Sequence, residues 1–376
     1  MKLCQIAFLV LGVNAQQNHS AAKPLPFNYQ HESGKGPLSW RYVNTTGNEW
    51  EQYVGQEDNN LDVVGNECKS RRRPSPINLV VNAECMDTHE ILTRKIKDTD
   101  CKIDSMAFSV TPHTLRADFP SHDTYCQRPT IDLPNGYPHT WFAQHIEVHL
   151  RAEHVLDGRR YDGEMQMFHL GREDQKRELA AVSFLLDASG FRDDARLQEY
   201  IDRWEAGAEA ADEACRRKLR PETRQAHRRV PVQDGEFFLP DLQHTFENQT
   251  EKVIKRKVDH PENDTRRLVG GYRDKMFPYD IWPTIHFYRY RGMITVPPCS
   301  EIVSWRILDE PLVISRRQLT AMARLLANYQ DPETCEKATL TSHTGENVRP
   351  LQDINHEKQE LVHCTSKDFT DRFYTY

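Results

Sequence analysis

Short runs of alternating apolar and polar residues, separated by Pro, Gly and Asp, constrain the fold of this chain most. A period of two places successive side chains on opposite faces of a strand, and runs of about four to eight residues are typical of strands. The runs are 77–81, 106–110, 115–119, 145–150, 165–170, 179–186 and 285–290. The sequence therefore predicts a mainly β (α+β) domain.

The composition indicates a folded domain with polar extensions. Only 38% of the 376 residues are hydrophobic, and the mean hydropathy is −0.75. The net charge of −7 provides no global field for nucleic acid, so we expect no nucleic-acid partner. Beyond the first residues no stretch approaches the roughly 20 apolar residues that cross a bilayer, so no membrane span is expected.

The first 15 residues have the pattern of a secretory signal peptide. Lys2 precedes the apolar stretch 6–13, and Val13-Asn14-Ala15 offers a cleavage site. We therefore expect a secreted protein, either extracellular or in the secretory-pathway lumen. Eight cysteines beyond the signal peptide predict disulfides, although their pairing stays open from the sequence alone. Four sequons predict glycosylation, at Asn18, Asn44, Asn248 and Asn263.

Three regions follow the signal peptide. Residues 16–352 are expected to form one domain, interrupted by an insertion over about 193–275 that is rich in Glu, Arg and Ala. Part of this charged insertion is predicted to form one or two exposed helices, and it serves either as a binding surface or as a solvated loop. The polar tail 353–376 ends in aromatic residues that either dock on the domain or remain loose.

Two of the predicted strands carry polar side chains on one face. His145, Glu147 and His149 alternate along the first strand, and Glu164 and Gln166 alternate along the second. From spacing alone, these residues form either a metal site or a buried polar network. A site that uses both histidines is disfavoured, because residues four apart on a strand are separated by about 13 Å.

Several blocks, in order from about residue 29 to residue 352, resemble the α-carbonic anhydrase family. The blocks are Gly36-Pro37-Leu38-Ser39-Trp40, Ser75-Pro76-Ile77-Asn78, Glu153-His154 with 157–161, the segment 290–301 with Trp305, and 347–352. The resemblance implies a large, twisted, mostly antiparallel ten-stranded sheet with short peripheral helices and a conical cavity. It also implies a zinc cofactor held by three histidines from two neighbouring strands.

The resemblance assigns the zinc positions to Glu147, His149 and Gln166, of which only His149 is histidine. His145 and Glu164 fall where the family has residues that support the ligands.

Other family roles are assigned in the same way. Thr295 matches the threonine that accepts a hydrogen bond from zinc-bound hydroxide, Glu153 matches the glutamate that orients it, and His113 matches the proton shuttle. Thr295 and Glu153 could equally be a buried hydrogen bond without catalysis, and His113 a loop histidine. The apolar CO2 pocket falls at Phe168, Ala181, Ile294 and Trp305, and the family disulfide at Cys68 and Cys299.

The substitutions predict weak or no CO2 hydratase activity. An anionic Glu147 would cancel part of the zinc charge that lowers the pKa of bound water, and Gln166 is a weaker donor than imidazole. The ring of Phe168 would crowd CO2. The sequence therefore favours a secreted protein with a binding or scaffold role toward an unknown extracellular protein or glycan. The alternative is a divergent zinc-dependent carbonic anhydrase that converts CO2 and water to bicarbonate and a proton. A wall or matrix protein is a third, less favoured class.

Overall fold

A ten-stranded mixed sheet forms the centre of the fold. The computed structural model describes residues 27–44, 66–80, 103–120, 128–132, 140–171, 179–219, 281–284 and 286–364. Within these ranges the strands are β1 (Asn78–Leu79), β2 (Ala107–Val110), β3 (Leu115–Asp118), β4 (Thr130–Asp132), β5 (Thr140–Leu150), β6 (Val155–Leu156), β7 (Gly163–Gly171), β8 (Leu179–Gly190), β9 (Phe287–Gly292), β10 (Val303–Leu308), β11 (Leu312–Ser315) and β12 (Val362–Cys364).

The strand order of the large sheet is β12-β9-β10-β8-β7-β5-β3-β2, with β4 paired to β5 and β11 paired to β8. The pairs β10–β8 and β11–β8 are parallel, and the other pairs in this sheet are antiparallel. Strands β1 and β6 form a separate small parallel sheet. The predicted fold class, a large and mostly antiparallel sheet with few helices, is confirmed.

The central strands are buried on both faces, so each face packs against its own apolar cluster. On β5, Ile146 and Val148 belong to one cluster, which also contains Met165 and Met167 of β7. On β7, the residues that alternate with Met165 and Met167 face the other side of the sheet. Phe168 is one of them, and it belongs to the second cluster with Trp305 of β10. The polar side chains of β5 therefore share their face with the second cluster.

Two helices cover the first cluster. Helix α1 (Ala195–Leu219) buries Leu197, Ile201 and Trp204, a spacing that places them on one helix face. Helix α2 (Arg316–Ala327) begins with a capping box between Ser315 and Gln318. Both helices lie opposite the face with the polar side chains.

Helix α1 departs from the expectation of an exposed helix within the insertion. One side of it is part of the core, and Trp204 Nε1 donates a hydrogen bond of 2.7 Å to the Arg116 carbonyl of β3. The insertion is therefore anchored at its start, because removing this face would uncover apolar core. The tail also docks in part, since β12 pairs with β9 beyond residue 352.

Neither helix is long and apolar enough to cross a membrane, a finding that covers only the described part of the chain. The predicted signal peptide and the sequons at Asn18, Asn248 and Asn263 lie outside that part. Asn44, the remaining sequon asparagine, is exposed. The domain boundaries at 15 and 352 stay predictions.

Candidate functional site

A row of polar side chains crosses four neighbouring strands. Arg116 of β3 lies directly opposite Glu147 of β5. Glu147 in turn lies opposite Gln166 of β7, and Gln166 lies opposite Ser183 of β8. Residues directly opposite one another share a face of the sheet. The structure thus places the two substituted zinc positions side by side, with an arginine that the sequence comparison did not single out.

Glu147 is a buried carboxylate with a cationic partner. Its Oε1 accepts a hydrogen bond from Arg116 Nη1 at 3.3 Å and lies 3.3 Å from His145 Nε2. Burial alone would raise the pKa of Glu147, but His145, Arg116 and His113 outweigh burial and lower this pKa to about 2. The side chain is therefore an anion that is already neutralised by protein groups.

His149 presents one nitrogen to the protein and the other to the site. Its Nδ1 lies 2.7 Å from the Asn347 carbonyl oxygen and 3.8 Å from Glu153 Oε1. Because a carbonyl only accepts, Nδ1 carries the proton and Nε2 has the lone pair in the neutral ring. This Nε2 is buried and has no hydrogen-bond partner in the described part of the chain. Burial works to lower the pKa of His149, yet Glu153, the Asn347 carbonyl and Glu147 raise it on balance.

The amide of Gln166 is fixed by two carboxylates. Its Nε2 donates to Glu153 Oε2 at 2.9 Å and to Glu164 Oε1 at 3.2 Å. These contacts settle which end of the amide is nitrogen, so Oε1 points away from them. Within the described ranges that oxygen is buried and without a partner.

Glu164 is the centre of the buried network. One of its oxygens accepts the backbone N–H groups of Glu153 and His154 at 2.9 and 2.8 Å. The other lies 2.8 Å from His154 Nδ1 and accepts from the Ser183 hydroxyl at 2.5 Å. Burial would raise the pKa of Glu164, but His154 and Ser183 outweigh it and bring this pKa to about 2.

The network continues to the loop beside β1. His154 Nε2 lies 2.6 Å from the Tyr290 hydroxyl, which donates to the Ser75 hydroxyl at 2.9 Å. Gly292 permits this approach, because a Cβ there would fall within 3 Å of Ser75, Tyr290 and Trp305.

The positions assigned to catalysis are all buried. The Glu153 carboxylate accepts hydrogen bonds from the Arg349 backbone N–H at 3.1 Å and from Gln166, and no hydrogen bond joins it to Thr295 among the described residues. His113 is also buried, and burial lowers its pKa to about 4. A shuttle must exchange protons with water near the working pH, and this environment is unfavourable for that exchange. The catalytic roles of these three residues stay predictions.

The positions assigned to the CO2 pocket meet in the second apolar cluster. Phe168 lies opposite Ala181, which pairs on its other side with Trp305. The Phe168 ring centroid lies 6.0 Å from the Trp305 ring, and the His145 ring stacks on Phe168 at 5.0 Å. Ile294 is buried in the same cluster. The phenyl ring thus occupies space beside the polar row.

The side chains present do not fit a three-histidine zinc site. His149 Nε2 has the right lone pair, but Glu147 is engaged by Arg116 and Gln166 offers an amide oxygen. Among the residues that the structure describes, no group of three His, Cys, Asp or Glu side chains is placed to hold a metal ion. The arrangement is instead a hydrogen-bonded polar network in which the Arg116 guanidinium is the cation beside Glu147.

Two disulfides between cysteines of the described ranges connect distant parts of the chain. Cys68 is bonded to Cys299, the pair that the resemblance implies. Cys215 of α1 is bonded to Cys335 beyond α2, a pairing that the sequence left open.

Sequence reasoning missed three residues at the site: Arg116, Ser183 and Asn347. Arg116 lies in a run recognised as a strand, but the partner of that strand could not be read from the sequence. Asn347 begins the block 347–352 that resembles the α-carbonic anhydrase family, and this resemblance was the feature of the sequence that pointed to it. Its side chain accepts the Leu150 N–H at 2.7 Å, and its carbonyl orients His149.

Comparisons with known proteins agree with the fold. A family model described as eukaryotic-type carbonic anhydrase matches residues 238–360. Dioscorin DB3L of Dioscorea polystachya is 25% identical over 209 residues, which cover 56% of this chain and 50% of that protein. Carbonic anhydrase 4 of Oryctolagus cuniculus is 32% identical over 91 residues, 22% of this chain and 27% of that protein.

A solved structure shares the fold over most of the chain. The crystal structure of dioscorin complexed with ascorbate has a TM-score of 0.51 and 18% identity, and the alignment covers 91% of this chain and 99% of that one. In the sequence comparisons the chain spans half or less of the length of these curated relatives.

Proposed function

This chain has the α-carbonic anhydrase fold and resembles that family in sequence, and from this premise we propose that it is a secreted, carbonic-anhydrase-like protein with weak or no CO2 hydratase activity. One observation carries the proposal. At the two altered zinc positions, Arg116 donates to the Glu147 carboxylate, and the Gln166 NH2 group donates to Glu153 and Glu164, so these groups are engaged by the protein.

The energetics of burial support this reading. A carboxylate as buried as Glu147 is stable only when it is paired and hydrogen-bonded. Arg116 supplies the charge that a metal ion would otherwise supply. The buried Glu147 carboxylate is therefore stabilised by protein groups without a metal ion.

Secretion is supported by the signal-peptide pattern and by the disulfides Cys68–Cys299 and Cys215–Cys335, since such bonds persist in oxidising compartments. We extend the proposal to an extracellular binding or scaffold role toward a protein or a glycan. Helix α1 offers an exposed basic end at Arg216, Arg217 and Lys218 for such a contact. Deletion of the insertion is unsuited as a test because α1 also covers the core.

A matched pair of variants tests the loss of zinc chemistry. Metal-stripped protein is titrated with zinc in a calorimeter beside His149→Ala and His343→Ala, the latter an exposed histidine. We expect no binding at micromolar zinc in any of them and no CO2 hydration in stopped flow. One tight equivalent, lost in His149→Ala and kept in His343→Ala, together with hydration activity, would contradict the proposal.

One observation favours the alternative of a divergent zinc enzyme: His149 Nε2 and Gln166 Oε1 are buried without partners among the described residues. The titration above decides between the two functions.

The binding role needs separate probes. Ascorbate is the first small molecule to test, because the dioscorin structure of the same fold is a complex with ascorbate. For macromolecules, a glycan array and matrix proteins are probed with the wild type and with Arg216→Gln/Arg217→Gln/Lys218→Gln. If the triple variant folds but no longer binds a probe that the wild type binds, the basic end of α1 has a role in binding. If the two proteins bind equally, it has none.

A further inference from the structure

Arg116 is an unusual residue for the middle of a sheet. It lies on β3 between Leu115 and Ala117, both fully buried, and its own side chain is 10% exposed. Its Nη1 donates to Glu147 Oε1 at 3.3 Å, and its Nε donates to Asp118 Oδ1 at 2.9 Å. Two carboxylates thus hold one guanidinium against the polar row.

The direction of these hydrogen bonds matters for any cation. Arg116 points an N–H group at the end of the side chain at position 147, which is where a metal-binding residue of the family would offer its lone pair. That lone pair cannot accept an N–H and bind a metal ion at the same time. A fixed positive charge also repels a dication strongly in a buried setting of low dielectric.

We propose that Arg116 is a metal-excluding residue, an internal cation that takes the electrostatic place of zinc and would exclude it even if the lost histidines were restored. The inference deepens the proposed function and rests on it. Histidines at both positions are then insufficient, because the guanidinium remains and Glu147, one of its two carboxylate partners, has been removed.

Zinc titration of three purified, metal-stripped variants tests this inference. The first carries Glu147→His and Gln166→His, and the second adds Arg116→Gln. The third adds Arg289→Gln instead, which removes one positive charge at a β9 position paired with Glu360, outside the polar row. We expect the Arg116→Gln variant to bind one equivalent of zinc about tenfold or more tightly than either of the others. Adding His149→Ala to it should abolish that binding.

The outcomes separate the two proposals. CO2 hydration by the wild type would overturn the proposed function, and tight zinc binding by the wild type would overturn the role of Arg116 with it, because Arg116 is intact there. Equal zinc affinity with and without Arg116→Gln in the two-histidine background would overturn the role of Arg116 alone.

Folding provides a second readout of the same idea. In the variant with two histidines and intact Arg116, this buried cation keeps Asp118 but loses Glu147, so adding Arg116→Gln should raise the thermal midpoint of that variant. If the two-histidine variant does not fold, Arg116→Gln must rescue folding, and failure of this rescue contradicts the proposal.

Discussion

Glu164→Gln is the most informative single substitution in the polar network. The change conserves size but removes the charge and replaces one acceptor oxygen by an NH2 group. In the wild type, one oxygen of Glu164 accepts two backbone N–H groups and the other faces His154 Nδ1 and the Ser183 hydroxyl. Whichever way the amide of the variant turns, its NH2 group faces donors on one side.

The loss of stability can be worked from these contacts. At least two hydrogen bonds to a charged acceptor are lost, each worth about 1.5–3 kcal/mol, and the donors stay buried. We therefore expect Glu164→Gln to lower the free energy of unfolding by about 3–5 kcal/mol, as for other broken buried ion pairs.

The same carboxylate gives a pH signature. Its pKa is about 2 in the folded protein and near 4.5 in an ordinary environment, so the folded state favours the ionised form. This difference corresponds to about 3 kcal/mol of stability that is fully present above about pH 5 and is lost as the pH falls toward 2. Glu164→Gln should remove this part of the acid dependence.

Urea unfolding followed by tryptophan fluorescence at pH 7 and pH 3 measures both effects, because about 2 kcal/mol of the pH-dependent stability is lost between these two values. Glu360→Gln is the control, because Glu360 forms an exposed ion pair with Arg289 and should cost less than about 1 kcal/mol. A cost below about 1 kcal/mol for Glu164→Gln, with an unchanged pH dependence, would refute the reasoning.

Three further perturbations test other parts of the fold by denaturant or thermal unfolding. Replacing both Cys215 and Cys335 by Ser opens a loop with a sequence separation of 120, and the loop-entropy relation gives a loss of about 5 kcal/mol; an unchanged midpoint would show that this bond does not stabilise the domain. Phe168→Ala should cost about 3–5 kcal/mol because the ring is fully buried, and a loss below about 1 kcal/mol would indicate a loosely packed pocket. Trp204→Phe keeps the aromatic packing of α1 but removes the bond to the Arg116 carbonyl, so we expect a loss of about 1–2 kcal/mol; a neutral result would mean that this hydrogen bond does not stabilise the packing of α1 on the sheet.

The sequence determined the class of the fold and the face on which the site lies. Alternation was enough to place Glu147 and His149 on one face of their strand, and Glu164 and Gln166 on one face of theirs, because the period of a strand is set by backbone geometry. The ordered blocks added the family and the identity of the altered zinc positions. Both kinds of signal are local, which is why a single sequence carries them.

Only the tertiary structure decided what neutralises Glu147. The pairing of β3 with β5 brings Arg116, which is 31 residues away in the chain, to the zinc position. The register between these strands depends on which apolar side chains pack together, and no local pattern records it. The same holds for α1, whose charged surface is visible in the sequence, whereas its buried face becomes evident only against the sheet. The resemblance of the ordered blocks thus identified the altered zinc positions, and long-range strand pairing placed the Arg116 cation beside Glu147.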